Sequence, residues 1–183
     1  YVLLFVFLQY SHHVASDGAR SDRSRRGVRL CSPYHGNDFA LFEKIKQNQT
    51  INTYISEADK SLLAMGYTEH SFAHVTKVAT DAAYILTKLH KSEREIELVK
   101  IAGYLHDIGN VVNRSDHPHS GALMCFKLLS DLEMDTKEIA QIISAIGNHD
   151  ESTGIPVSSI AAALIIADKC DVRRSRVRNT NFT

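Results

Sequence analysis

The sequence predicts an all-α fold, a compact multi-helix bundle, and three observations support this class. From Asn37 onward, apolar residues recur every three or four positions, as on the buried face of a helix, whereas patterns typical of β-strands are sparse. Residues 92–95 and 135–138 carry helix-capping signals, in which a serine or aspartate is followed three residues later by glutamate. The composition, with 44% apolar and 23% charged residues, is that of a globular protein. We therefore expect six or seven helices.

Four helices are expected in the first part of this bundle. The first covers residues 38–47, and the second ends at Gly66, because glycine commonly ends a helix in a left-handed conformation. The third and longest covers residues 69–90. The fourth opens at the capping box of residues 92–95 and ends before Gly109.

Three further helices complete the predicted bundle. The fifth follows Pro118, with Leu123 and Phe126 expected to face the core. The sixth opens at the capping signal of residues 135–138, and the last runs from about Ser158. The alanine-rich apolar run within this last segment fits either a helix or a buried strand, and its lack of glycine and proline favours a helix.

The chain divides into an N-terminal extension, residues 1–36, and a domain, residues 37–183. Residues 1–8 are apolar, but a membrane-spanning helix needs about 20 such residues. The following stretch is polar and rich in arginine, serine and glycine. We therefore expect residues 1–36 to be a non-domain or disordered extension unless another structure holds them.

Charge and cysteine content exclude several classes of protein. Lysine plus arginine equals aspartate plus glutamate at 21 each, so no net charge draws the chain to nucleic acid or an anionic membrane. Cys31, Cys125 and Cys170 are odd in number and widely spaced, which argues against a disulfide framework or a structural zinc knuckle. A reducing, cytoplasmic location is therefore predicted.

The chain contains ten histidines, and the pair His106-Asp107 is the most informative. It lies at the end of an apolar helix, where a buried carboxylate is costly unless a cation compensates its charge. Neutral imidazole and carboxylate together form a normal ligand set for Zn, Mn or Fe. Alternatively, the helix dipole favours the histidine, and Asp107 is solvated in the turn. Taken alone, the pair leaves both interpretations open.

Four more residues extend this candidate metal site. His74 lies on the inward line of the third helix, and Asp168 sits within an apolar helix. His119 follows a helix start, and His149 ends the sixth helix. Each also has an ordinary explanation, such as a core histidine, a surface turn or an ion pair between Asp168 and Lys169. The set as a whole favours a metal site, because the helices of a bundle can direct distant ligands to one point in the core.

The order of these residues resembles the signature of the HD-domain superfamily of metal-dependent phosphohydrolases. The resemblance covers roughly residues 67–177 and rests on His74, the pair His106-Asp107, and Asp168. It implies an all-α domain that binds one or two divalent transition metal ions, which would be Fe, Mn, Zn, Ni or Co. It also implies that Asp107 is the catalytic residue and, with two ions, the bridge between them.

The motif HDIG at residues 106–109, followed by HPHSG at residues 117–121, is similar to the HD-GYP-type branch of this superfamily. In that branch, a histidine of the second element and another before a Gly-Pro loop help to hold a second metal. Here the resemblance implies His149 together with either His117 or His119. The motif spacing favours His117, whereas the helix position favours His119, which we take as the expected ligand.

Three positions depart from that branch and argue against cleavage of cyclic dinucleotides. Asn110 stands where a lysine is usual, so a cationic contact to phosphate is missing. The usual double histidine is Asn148 followed by His149, and the Gly-Tyr-Pro loop is replaced by residues 154–156. The general assignment to the superfamily does not depend on these positions.

Substrate contacts are predicted around the motifs, and these residues are His70, Asn110, Arg114, Arg173 and Arg176. His70 lies four residues before His74, on the same helical face. The planar guanidinium group of arginine suits phosphate oxygens. The alternative for the C-terminal arginines is a solvated helix end that the dipole favours.

We therefore expect metal-activated water to hydrolyse a phosphate ester, a nucleotide or a related small phosphorylated metabolite. A non-catalytic regulatory module that binds metal or nucleotide is the alternative, and Asn110 is its best support. A third hypothesis is a helical interaction domain with incidental histidines. No membrane or DNA partner is expected, and a homo-oligomer is left open.

Overall fold

A computed structural model describes residues 40–150 and 154–178 of the chain. Within this part all regular structure is helical, which confirms the predicted all-α class. The extension predicted at residues 1–36 lies outside the described residues. The seven α-helices of the described part are α1 (Ala40–Gln47), α2 (Gln49–Ala64), α3 (Phe72–Lys88), α4 (Glu93–Leu105), α5 (His117–Asp131), α6 (Thr136–Gly147) and α7 (Ser159–Cys170). Two short 3-10 turns occupy Ile108–Val111 and Arg174–Arg176.

Local capping sets several of the helix boundaries that the sequence predicted. The Ser92 side chain accepts a hydrogen bond from the backbone N–H of Glu95, and the Glu95 side chain accepts one from the backbone of Ser92. The capping box at the start of α4 is therefore confirmed. Asp135 caps α6 in the predicted place. Gly66, just after α2, has a φ of 80°, the left-handed conformation that glycine adopts without steric cost.

Helix α3 begins later than predicted, at Phe72 instead of residue 69. The Ser71 side chain caps it by accepting a hydrogen bond from the backbone N–H of Ala73. The backbone N–H of Glu69 donates instead to the carbonyl of Arg176, 2.9 Å away. A tertiary contact with the C-terminal segment thus takes the place of the first helical turn.

Helix α4 ends at Leu105, earlier than the predicted end before Gly109. Asp107 lies at the break between α4 and the 3-10 turn, with φ of −96° and ψ of 2°. These angles fall in the sparsely populated bridge region of backbone conformation, where many active-site residues are found. In a continuous helix, neighbouring side chains point about 100° apart. The break allows His106 and Asp107 to face the same point.

Close helix packing depends on Gly103, in the middle of the contact between α4 and α3. A Cβ atom at this position would lie 2.8 Å from the Cα atom of Ala79 on α3. Since real Cβ contacts are not that short, only glycine permits this approach of the two helices. The same approach brings His74 on α3 towards His106 at the end of α4.

The start of α5 packs against the 3-10 turn through two glycines. A Cβ atom on Gly109 would lie 2.1 Å from the carbonyl oxygen of His117 and 2.5 Å from the backbone nitrogen of Gly121. This contact sets the rotation of α5 about its own axis. The prediction that Leu123 and Phe126 face the core is therefore wrong, because they are 73% and 50% exposed. The buried face carries Gly121, Cys125 and Leu129 instead.

Helix α7 is buried on most of its surface, from Ile160 to Ile165 and again at Ala167. A helix that is apolar on all sides has no alternation of apolar and polar positions, which explains why its sequence fits a strand as well. Among the described residues, no helix has both the length and the apolar content needed to cross a membrane.

The Gly103 contact yields a stability prediction. Gly103→Ala is expected to lower the free energy of unfolding by about 1–3 kcal/mol, the usual cost of overpacking, because the added methyl group meets the backbone of α3. Urea or thermal denaturation measures this change. Gly147→Ala is the matched control, since the nearest atom to its added Cβ is 3.8 Å away. Equal stability of the two variants would show that this approach does not require glycine.

Candidate metal centre

The carboxylate of Asp107 lies at the centre of a group of imidazole rings inside the bundle. Within the described part of the chain, five histidines surround it. They come from the loop before α3 (His70), α3 itself (His74), the end of α4 (His106), the start of α5 (His117) and the turn after α6 (His149). Asp107 itself is only 5% exposed. Histidines from four separate stretches of the chain therefore converge on one buried carboxylate.

One set of donor atoms lies on the Oδ2 side of Asp107. This oxygen is 3.0 Å from His106 Nε2 and 3.5 Å from His74 Nε2. Asp168 Oδ1 is 3.3 Å from His74 Nε2 and 3.6 Å from His106 Nε2. Ligands about 2.0–2.1 Å from a tetrahedral metal ion are separated by about 3.3 Å from each other. These four distances are close to that value, and the donor atoms of His74, His106 and Asp168 all lie within 4.8 Å of one another. We name His74, His106, Asp168 and Asp107 Oδ2 the first donor set.

Buried nitrogens of the first donor set support this interpretation independently. Among the described residues, His74 Nε2 and His106 Nε2 are fully buried and have no hydrogen-bond partner. Buried polar atoms in native proteins are almost always satisfied, so two such atoms facing the same carboxylates need an explanation. A cation between the rings and the carboxylates satisfies both nitrogens. The residues present therefore fit a divalent metal ion.

A second set of donor atoms lies on the Oδ1 side of Asp107. His117 Nε2 is 3.5 Å and His149 Nε2 is 3.8 Å from this oxygen. The two nitrogens are 3.3 Å from each other. We name His117, His149 and Asp107 Oδ1 the second donor set. Asp107 presents one oxygen to each set, which is the arrangement a bridging ligand requires.

The structure places His119, the expected ligand, outside this centre. Its side chain is 62% exposed, and its Nδ1 pairs with Asp116. His117 is buried and belongs to the second donor set. The physical reason is the start of α5, which lies at His117, before Pro118. The first residue of the helix thus faces the 3-10 turn, and His119 faces solvent.

Every imidazole at the centre has an acceptor on its Nδ1 atom. These contacts are His70 to Thr68 O (2.7 Å), His74 to Asp171 Oδ2 (2.7 Å), His106 to Gly103 O (2.8 Å), His117 to Arg114 O (3.1 Å) and His149 to Ile146 O (2.6 Å). A carbonyl oxygen or an ionised carboxylate accepts hydrogen bonds but cannot donate them, so Nδ1 carries the proton. In the neutral ring, Nε2 then carries the lone pair that binds metal. All five rings present this atom to Asp107.

Charge compensation differs between the two donor sets. Burial by itself lowers the pKa of His106, but the negative charges of the nearby Asp107 and Asp168 carboxylates outweigh it and raise the pKa to about 10. The same contacts oppose the effect of burial on Asp107 and Asp168 and hold the pKa of both carboxyls well below its usual range. Burial lowers the pKa of His117 to about 4, with His149 and Arg114 adding to the effect. His117 is therefore neutral at physiological pH.

A cleft of about 250 Å³ opens next to the Asp107 centre. Three residues predicted to contact substrate, His70, Arg114 and Arg176, line it. Among the described residues, its other walls are formed by Asp107, His117, His149, Asp150, Asp168, Lys169, Asp171 and Val172. The cleft thus gives a small molecule access to Asp107 and to residues of both donor sets.

The other two predicted substrate contacts are placed elsewhere. Asn110 is fully buried, and its Nδ2 donates to the Asp107 carbonyl at 2.9 Å and to Asp107 Oδ1 at 3.0 Å. It therefore orients the central carboxylate. Arg173 donates to Asp171 through Nε at 2.6 Å and Nη2 at 2.9 Å. An internal carboxylate thus holds the guanidinium group that was expected to bind phosphate.

Sequence reasoning missed Asp171, whose side chain is completely buried against His74. The available signal was its position three residues after Asp168, at the end of the same helix. Its neighbours Arg173 and Arg174 obscured that signal, because an acidic residue beside arginines is ordinarily a surface ion pair.

The fold and the site together define a class of protein: helical domains that gather histidines around a histidine–aspartate pair to bind metal for hydrolysis. The chain belongs to the HD domain family, whose model matches residues 71–173. All the residues of the two donor sets lie within this range. The superfamily is one of metal-dependent hydrolases.

Two known proteins are similar to this chain. The chain is 26% identical over 161 residues to an uncharacterized protein of Methanocaldococcus jannaschii, in a match that covers 75% of this chain and 61% of that protein. The chain thus spans about three fifths of the length of this relative. A crystal structure from an uncultured Thermotogales bacterium, described as a predicted HD superfamily hydrolase, is 24% identical with a TM-score of 0.53. That match covers 70% of this chain and 72% of the other, and it supports the fold.

The electrostatics of the centre predict that metal binding releases protons. The raised pKa of His106, about 10, means that its ring is protonated in the metal-free protein at pH 8. A ring must be neutral to bind metal. Apparent affinity should therefore rise about tenfold per pH unit between pH 7 and 9, with at least one proton released per ion. Calorimetry in buffers of different ionisation enthalpy measures both quantities.

The stability of the metal-free protein should show the opposite dependence on pH. The raised folded-state pKa of His106 stabilises the folded protein fully below the unfolded value of about 6.5, and this contribution is lost as pH rises through about 10.

His119→Ala is the control for the metal-binding experiment, because that side chain lies outside the centre and should not change proton release. Metal affinity that does not vary with pH would contradict imidazole ligation.

Proposed function

We propose that this chain hydrolyses a phosphate ester, a nucleotide or a related small phosphorylated metabolite, with water activated by one or two divalent ions. The observation that carries this proposal is the position of Asp107. Its two carboxylate oxygens face two separate sets of donor atoms, and residues of both sets border an open cleft. Membership in a superfamily of metal-dependent hydrolases supports the same chemistry.

The two donor sets have separate tasks in this proposal. The first donor set would hold one ion on the Oδ2 side of Asp107, and the second would hold another on the Oδ1 side. A divalent ion supplies positive charge for phosphoryl oxygens and lowers the pKa of water to about 7. Asn110 keeps Asp107 in the orientation that serves both sets, by donating to its Oδ1.

Arg114 is the proposed contact for the substrate phosphate. Its guanidinium group has long contacts in the cleft, 3.4 Å to Asn110 Oδ1, 3.4 Å to His117 Nε2 and 4.0 Å to Asp150 Oδ1. It also lies over the Tyr67 ring, 5.4 Å from the ring centroid, which orients the group. A planar guanidinium can donate two hydrogen bonds to a phosphate. Arg114 thus provides the cation that Asn110 does not.

The other cations of the cleft are held more firmly. Arg176 donates through Nε to the Glu69 carbonyl and through Nη1 to the Asp171 carbonyl, both at 2.9 Å. Lys169 lies 2.9 Å from Asp168 Oδ2. These contacts assign Arg176 chiefly to linking the C-terminal segment to the loop before α3. This distinction favours Arg114 for binding substrate.

His70 is the proposed acceptor of a proton from the attacking water. Its Nδ1 donates to the Thr68 carbonyl at 2.7 Å, and its Nε2 lies 3.9 Å from Asp107 Oδ2 at the wall of the cleft. Burial lowers the pKa of this ring, against the opposing charge of Asp107. A neutral ring with a free Nε2 lone pair can accept a proton there and return it to a leaving group.

The size of the cleft favours a small substrate. At about 250 Å³ it lies just below the range of about 300–1,000 Å³ that is usual for pockets binding drug-sized ligands. It can take a phosphoryl group and part of one organic group. A mononucleotide or smaller phosphorylated metabolite fits this space better than a cyclic dinucleotide.

Asp107→Ala tests the proposed function directly. Purified protein is supplied with Mn, Fe, Zn, Co or Ni ions and assayed against mononucleotides, dinucleotides, cyclic dinucleotides and a generic phosphoester. Activity of the variant should fall by more than ~100-fold, which is the usual upper cost of losing a residue that only supports a metal ligand. The reason is that both donor sets lose an oxygen atom. His119→Ala should keep full activity.

Full activity of Asp107→Ala would contradict the proposal. Tight binding of a nucleotide by the wild-type protein, without turnover under any of these metals, would identify a regulatory module instead.

Arg114→Ala should raise the KM for the phosphorylated substrate by about 10–100-fold, since hydrogen bonds to charged groups contribute about 1.5–3 kcal/mol. Steady-state kinetics on the best substrate of the panel measures this change. Arg174→Ala is the matched control, because Arg174 is exposed and lies outside the cleft wall that the described residues form. An unchanged KM in Arg114→Ala would remove Arg114 from the substrate site.

A further inference from the structure

His74 differs from the other histidines of the centre in the group that accepts its Nδ1 proton. Backbone carbonyl oxygens accept this proton from His70, His106, His117 and His149. His74 Nδ1 donates instead to a carboxylate oxygen, Oδ2 of Asp171, at 2.7 Å. Among the five histidine rings that surround Asp107 in the described chain, His74 thus differs in having a carboxylate as the acceptor of its Nδ1 proton.

The Asp171 carboxylate is held in place and kept ionised. Its side chain has no exposed surface, and Arg173 donates to both of its oxygens, at 2.6 Å and 2.9 Å. Arg176 Nε lies 3.8 Å from Oδ2. Burial favours the neutral acid, but the hydrogen bonds from Arg173 and His74 outweigh it and hold the pKa of this carboxyl well below its usual range.

An ionised carboxylate changes the ring that it supports more than a carbonyl does. It attracts the Nδ1 proton more strongly, which leaves more electron density on Nε2 and makes that atom a better metal ligand. It also fixes the tautomer and the orientation of the ring. Both effects act on His74, and therefore on the first donor set alone.

The second donor set has the opposite properties. It contains one donor atom fewer than the first, and carbonyl oxygens support both of its rings. The Arg114 guanidinium lies 3.4 Å from His117 Nε2, where its positive charge opposes a bound cation. Like the support of His74 by Asp171, these differences favour tighter binding of an ion by the first donor set than by the second.

We infer that Asp171 is a positioning residue that makes the first donor set bind its ion more tightly than the second, so that the two sets fill in a fixed order. The inference rests on the proposed function, because it assumes a metal at this centre. The end of helix α7 then has two roles, since it delivers Asp168 as a ligand and, directly after Cys170, Asp171 as the support of a ligand from α3.

Titration of the metal-free protein with Co²⁺ alone tests this inference, with visible absorption as the readout. The wild type should bind in two steps. Asp171→Asn keeps a side-chain oxygen that can accept the Nδ1 proton but removes the charge, so it gives His74 the same kind of support as the other rings. The first step should weaken by about 10–100-fold and its absorption spectrum should shift, while the second step stays unchanged. His117→Ala should remove the second step only.

The outcomes separate this inference from the proposed function. Two-step binding with an unchanged first step in Asp171→Asn would overturn the inference and leave the metal centre intact. Equal weakening of both steps would also overturn it, because a general loss of structure affects both sets. No Co²⁺ binding by the wild type would defeat the proposed function and the inference together.

A measurement on the wild type decides the matter if Asp171→Asn does not fold. In ¹H–¹⁵N spectra of the imidazoles, the Nδ1 proton of His74 should resonate furthest downfield and exchange most slowly with water. A His74 signal that matches those of the four rings supported by carbonyls would overturn the inference.

Discussion

The charge of a buried carboxylate is the constraint on which this structure depends. Asp107 lies in the interior of a helical bundle, and an isolated carboxylate in such surroundings is strongly destabilised. The protein meets this cost by surrounding it with imidazole rings and with the amide of Asn110. Because each ring is held at Nδ1 by its own acceptor, the Nε2 atoms cannot turn away from the carboxylate. The centre is therefore preorganised before any ion binds.

Delivery of these rings requires unusually close contacts between helices, which explains the positions of the glycines. Gly103 lets α3 approach α4, and Gly109 lets the start of α5 approach the 3-10 turn beside Asp107. The glycine of the HDIG motif thus has a packing role: it admits His117 to the centre. The C-terminal segment contributes from the other side, where Glu69 and Arg176 exchange hydrogen bonds and hold the loop that carries His70.

Much of the fold and part of the site could be predicted from local sequence. Apolar periodicity and capping signals specify helices because these depend on residues three or four apart, and the structure has them near the predicted places. His74, His106, Asp107, His149 and Asp168 stood out because polar residues on apolar helix faces are costly without a partner. The structure brings these five residues together.

The remaining features depend on how the helices pack, and sequence spacing does not determine this. The rotation of α5, set by the contact between Gly109 and Gly121, decided that His117 faces the centre while His119, Leu123 and Phe126 face solvent. Helix packing likewise buried Asp171 against His74, 97 positions away in the chain. The sequence alone determined which residues carry the chemistry, because their cost of burial is a property of each side chain. Only the tertiary structure decided which of them meet, because that depends on where whole helices come to rest against one another.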